Sequence, residues 1–127
     1  MNISKQLDEI KLPPQYRRNG TDCFLDPYRK RLIEITPEEI VRQKVATYFE
    51  KVMNVPFDML AIEVPMSHYL EGTKGRADII VHAPVDEKMM RAVAIIECKN
   101  TEIPLTDSVL KQAMRYADVT LANYFFV

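Results

Sequence analysis

Two stretches of the chain, 77–82 and 92–98, are almost wholly apolar and rich in Val and Ile, the pattern of buried strands. A third, Leu60-Ala61-Ile62-Glu63-Val64-Pro65-Met66, reads as a strand that Pro65 pushes toward an edge or an end. Val41, Val45, Tyr48 and Val52 recur at helical spacing with Phe49 beside them, and Val109, Leu110, Ala113, Met114 and Ala117 do so again. Thr36-Pro37-Glu38-Glu39 opens the first of these helices: Thr36 can cap it, Pro37 suits its first position, and Glu39 completes a capping box. The second begins near Thr106, and Tyr124-Phe125-Phe126-Val127 makes a last strand.

Ahead of these elements, Cys23-Phe24-Leu25 and Arg31-Leu32-Ile33-Glu34-Ile35 flank Asp26-Pro27-Tyr28-Arg29-Lys30, a turn sequence, and predict a hairpin. Residues 1–20 hold few apolar residues in any period and read as an extended arm. The expected order is hairpin-α-β-β-β-α-β: an α/β fold, a mixed sheet flanked by helices. It forms a single domain over 21–127 behind an arm at 1–20. Gly72 and Gly75 mark a loop before the second core strand, and the polar Pro84–Lys88 connection makes the two core strands antiparallel neighbours.

The 127 residues suffice for one core, and a formal net charge of -1 gives no long-range attraction for nucleic acid, so any basic footprint is local. The two cysteines lack metal-ligand spacing and point to a reducing, cytoplasmic setting. There is no signal-peptide pattern and no apolar run long enough to span a membrane. His68 and His82 have no partner at ligand spacing.

The chemistry lies where charge interrupts the buried strands: Asp78 in Gly75-Arg76-Ala77-Asp78-Ile79-Ile80-Val81, and Glu97 and Lys99 in Ile96-Glu97-Cys98-Lys99. Side chains two apart on a strand share a face, so Glu97 and Lys99 can serve one site. A hairpin symmetric about Glu87–Lys88 pairs 78 with 97, 80 with 95 and 82 with 93, and sets the two carboxylates side by side. A hard divalent cation turns their repulsion into a site. Mg²⁺ would take one oxygen from Asp78, one from Glu97 and the Cys98 carbonyl, while Lys99 orients or deprotonates the attacking water. Downstream, Gln112 and Tyr116 are four apart on one helix face and can reach toward the same place. The plainer readings are an Asp78–Lys99 ion pair on an exposed sheet and an amphipathic helix with Gln and Tyr at its border. Arg29, Lys30, Arg31, Lys74 and Arg76 are candidate phosphate contacts.

Together these pieces resemble the PD-(D/E)XK nuclease superfamily and, within it, the N-terminal domain of the type I restriction enzyme R subunit. The matching segments are Thr36 through Gln43, Gly75 through Val81, Ile96 through Lys99, Pro104-Leu105-Thr106 and Gln112 through Tyr116, and the likeness covers about residues 22–127. The resemblance implies a restriction-endonuclease-like fold and Mg²⁺-dependent (or Mn²⁺-dependent) DNA cleavage. It makes Asp78 and Glu97 metal ligands, Lys99 the catalytic lysine, and Gln112 and Tyr116 the accessory motif. It also puts Glu39 where related nucleases carry a helix carboxylate near the metal. DNA, restriction-modification subunits or a second copy of the chain are the expected partners. R subunits continue into a motor, and no G-x-x-x-x-G-K-[ST] loop occurs here, so the sequence reads as a fragment truncated within the sheet or a short relative. The alternatives are a non-cleaving DNA-binding or assembly module that retains the fold, and a phosphodiesterase acting on RNA or small nucleotides.

Overall fold

Strands β1 (Gln15–Arg18), β2 (Thr21–Asp26) and β3 (Arg31–Glu34) form an antiparallel meander in the computed structural model, which describes residues 3–99, 106–122 and 124–126. The Pro104-Leu105 segment and Val127 lie outside the described residues. The predicted hairpin is β2–β3. Its turn is closed by the Asp26 carboxylate, which accepts from Tyr28 N at 2.8 Å, and by Lys30 N donating to Asp26 O at 2.8 Å.

Residues 1–20 are not an extended arm. Helix α1 (Ile3–Asp8) is followed by β1, which pairs with β2 across a two-residue turn at Asn19 (φ 51) and Gly20 (φ 78). Asn-Gly with both residues left-handed matches the twist of a tight hairpin.

Helix α2 spans Pro37–Lys51. Thr36 caps it as expected, its hydroxyl accepting from Glu39 N at 3.0 Å. The fully buried face differs from the predicted one: it is Glu39, Arg42, Gln43 and Ala46, while Val41, Val45 and Phe49 are only half-buried against the core. A polar face can be buried here because its charges find partners on the sheet.

The second sheet runs β4 (Leu60–Pro65), β5 (Arg76–Pro84), β6 (Met90–Ile96) and β7 (Tyr124–Phe126) in that spatial order. β4, β5 and β6 are antiparallel, and β7 lies parallel to β6. Helix α3 (Asp107–Thr120) connects the parallel pair, as a crossover must. Leu60, Ile62, Ile79 and Ile96 pack toward α2 with Ala46, whereas Ile80, Ile95 and Ala92 pack toward α3 with Tyr116 and Ala117. The buried side of α3 is Ala113, Tyr116, Ala117 and Thr120; Leu110 and Met114, expected inside, are exposed.

The predicted β5–β6 register holds at 80↔95 and stops one step short of the carboxylates, at 79↔96. It fails at 82↔93. A bulge after Val81 leaves Val93 unpaired and joins His82 to Ala92. None of the described helices is long and apolar enough to cross a membrane.

Candidate active site

The strand alternation slips at Asp78. Ile79 packs toward α2, yet Asp78 also turns to α2, because the facing strand is kinked at Glu63, whose φ of 49 is left-handed. The pairs 62↔79 and 64↔77 bracket these two residues. A non-glycine residue held there costs on the order of 1–3 kcal/mol and needs surrounding contacts to persist.

Those contacts form a buried ionic network. Arg42 donates to Asp78 Oδ1 from Nη2 at 2.7 Å and to Glu39 Oε1 from Nη1 at 2.5 Å, and lies 3.2 Å from Glu63 Oε1. Arg29 donates to Asp26, to Glu39 Oε2 at 2.5 Å and to Glu63 Oε1 at 2.7 Å. Gln43 donates to Glu39 Oε2 at 3.0 Å. Burial pulls Arg42 toward losing its proton, but Asp78, Glu39 and Glu63 more than offset this and hold it above its usual range. Removing one partner from such a network costs about 3–5 kcal/mol, since a buried charge is left uncompensated.

On its second oxygen, Asp78 accepts from the Cys98 amide at 2.9 Å. This bond ties the end of β6 to β5 and brings Glu97 beside Asp78. Glu97 is 4% exposed, and its Oε1 has no hydrogen-bond partner among the described residues. Burial first, and the Asp78 charge second, push the Glu97 carboxyl up to about 8, while the nearby Lys99 ammonium pulls it down. Burial and Asp78 also raise the Cys98 thiol, so this side chain stays protonated and apolar.

Glu97, Cys98 and half-buried Lys99 open onto a cleft of about 460 Å³ whose other wall is apolar, formed by Val41, Val45, Tyr48 and Phe49 of α2 with Leu7 of α1. The larger cavity, about 780 Å³, lies between residues 10–14 and α2 and is lined by Lys11, Thr47 and Lys51 without a carboxylate.

Asp78, Glu97 and Lys99 are thus brought to one end of the sheet. Gln112 and Tyr116 are brought to each other instead. Gln112 Nε2 donates to Tyr116 Oη at 3.0 Å, and no hydrogen bond joins either to Asp78, Glu97 or Lys99 among the described residues. Tyr116 is buried in the α3-side core with its hydroxyl against Gly75, where an added Cβ would sit 2.0 Å from Oη. Arg29 departs from the expected phosphate contact: its side chain is 8% exposed and its charge is absorbed by three internal carboxylates. Lys30, Arg31, Lys74 and Arg76 are exposed, with Arg76 3.7 Å from Glu63.

Arg42 and Glu63 are not singled out as site residues from sequence, and Arg29 is expected there only as a phosphate contact. The signal that could have found Arg42 was its helical spacing from Glu39 and Ala46, on the face opposite to the apolar one.

Two adjoining carboxylates, Asp78 and Glu97, have the oxygen chemistry that a hard divalent ion takes. Asp26, Glu39, Glu63 and Asp78 set four carboxylates against the guanidiniums of Arg29 and Arg42, and the Glu97 oxygen without a partner among the described residues adjoins Asp78. Among the described residues no group of three or more His, Cys, Asp and Glu side chains is arranged as a metal cage. Two carboxylates and a carbonyl suit an ion such as Mg²⁺, which keeps much of its water.

The mixed sheet thus carries two adjoining carboxylates and a lysine at its strand ends, beside an open cleft. Residues 37–127 match the family described as type I restriction enzyme R protein N terminus, and the chain belongs to that family, consistent with a restriction-system nuclease. The match begins at the first residue of α2 and takes in Asp78, Glu97 and Lys99; the β1–β3 sheet precedes it. No curated protein and no solved structure matches the chain.

Proposed function

We propose that this chain is a Mg²⁺-dependent endonuclease domain that hydrolyses DNA phosphodiester bonds within a type I restriction system, on a restriction-endonuclease-like fold. The observation that carries this reading is the buried Glu97 oxygen that has no partner among the described residues, in a carboxyl set beside Asp78 and opening with Lys99 onto one cleft. Asp78 and Glu97, with the Cys98 carbonyl, are the residues that would hold the ion. Bound there, Mg²⁺ (or Mn²⁺) supplies Lewis acidity and a template for the phosphate.

The chain's own contribution is positional. The Asp78–Cys98 bond fixes the two carboxylates relative to each other. Lys99 Nζ orients the attacking water and offsets charge as water adds to phosphorus and the ester P–O bond breaks in line. The apolar α2 wall limits water around Glu97, which strengthens these charge interactions. Exposed Lys30, Arg31, Lys74 and Arg76 supply phosphate contacts, and the modification and motor components of a restriction complex are the protein partners.

Supercoiled plasmid incubated with the protein and Mg²⁺ or Mn²⁺ provides the test. Nicking is expected, with Glu97→Gln and Lys99→Ala each losing about 10²-fold or more. Equal cleavage by the wild type and both variants would reject the site. One observation favours the second reading, a non-cleaving DNA-binding or assembly module: both Asp78 oxygens already have protein partners. Metal-independent DNA binding without any cleavage would support that reading, and a parallel RNA substrate addresses the choice of nucleic acid.

A further inference from the structure

The apolar residues of α3 do not all go inside. Ala113 and Ala117 are buried, while Leu110 and Met114 are 40% and 50% exposed, and Leu121, which closes the helix, is 81% exposed. At 3.6 residues per turn these three lie within about 40° of one another, so they form one apolar stripe down the helix. Single exposed leucines are ordinary, whereas a continuous stripe marks a contact surface. Leu121 sharpens the point. Its backbone is left-handed, φ 60, at a helix end that glycine or asparagine usually takes, and its side chain gains little packing among the described residues.

The charges beside the stripe indicate what covers it. Lys111 and Asp118 are exposed and seven residues apart, hence on one flank of the stripe and about 10 Å from each other along the axis. That is too far for them to pair, and neither forms an ion pair among the described residues. Arg115, between them, lies over the Tyr116 ring at 5.2 Å from its centroid. A second α3 laid alongside in the same direction would oppose Lys111 to Lys111 and Asp118 to Asp118. Laid in the opposite direction, about a two-fold axis near Met114, it opposes Lys111 of each copy to Asp118 of the other and brings Leu110 against Leu121.

We infer that this stripe is a self-complementary interface on which a second copy of the chain docks, α3 against α3 and antiparallel. The apolar stripe supplies the affinity, and the Lys111–Asp118 pairs choose the partner and its direction. The interface is independent of the proposed metal site.

Sedimentation equilibrium of the 127-residue chain across the micromolar range tests this. A monomer–dimer equilibrium is expected, and Met114→Asp should leave only monomer. Lys111→Asp and Asp118→Lys each oppose like charges in the dimer and should weaken it about tenfold or more. An equimolar mixture of those two variants restores both pairs and should regain the dimer. Because that recovery requires both variants to be folded, it separates loss of the interface from loss of structure. A wild type that stays monomeric, a dimer indifferent to Met114→Asp, or a mixture that associates no better than its components would overturn the inference.

Discussion

Gly75 shows how much one residue can carry. At φ +97 it occupies backbone space that side-chain-bearing residues rarely enter, and its bare Cα makes the seat for the Tyr116 hydroxyl. Gly75→Ala is expected to cost several kcal/mol, from strain and from expelling a buried ring. Urea denaturation should show the midpoint falling, and an unchanged midpoint would refute the seat. From sequence, Gly75 was readable only as a loop marker, since the residue it accommodates lies 41 positions later. Asp78, Glu97 and Lys99 were legible because charge inside an apolar run is costly without a purpose. Arg42 was not, because it looks like one more solvated charge on an amphipathic helix until the facing strand supplies Asp78 and Glu63.

At the scale of elements, the helices and core strands could be read because each satisfies a local rule. Thr36 is an instance: replacing it with Ala should cost about 1 kcal/mol, by freeing the Glu39 amide. Chemical denaturation of Thr36→Ala beside Thr36→Ser measures this, with the serine variant expected to retain most of the stability. The β1–β2 hairpin carried an Asn-Gly signal, but every residue of β1 is exposed, so no apolar alternation announced the strand. The bulge at Val93 was hidden for another reason. Register beyond a loop depends on an extra residue that the symmetry of a hairpin does not foresee. The same local slippage at Asp78 turns it to the α2 side, where strict alternation would have put it with Ile80.

For the whole molecule, the buried Glu97 carboxyl links stability to pH and, through the proposed site, to metal. Glu97 has a folded value raised to about 8 from an ordinary 4.5, so between these limits the folded chain binds more protons than the unfolded one. Stability in chelator is therefore expected to fall as pH rises from about 4.5 to about 8, and to be flat in this respect below that range. Saturating Mg²⁺ should reverse the trend, by about 2.7 kcal/mol at 100 times the dissociation constant. Thermal melts across pH with and without Mg²⁺, compared with Glu97→Gln, measure both effects. Equal pH slopes for wild type and variant would disprove the assignment.

The kink at Glu63 reaches beyond the ions it helps to gather. β4 is an outer strand of its sheet, and among the described residues nothing pairs with its free side. A bent backbone at Glu63 and an imino acid at Pro65 deny an incoming chain a straight row of amides and carbonyls. Any chain that meets this flank must therefore engage it through side chains rather than by extending the ladder. The irregularity that brings acidic groups together thus also protects the domain from edge-to-edge aggregation.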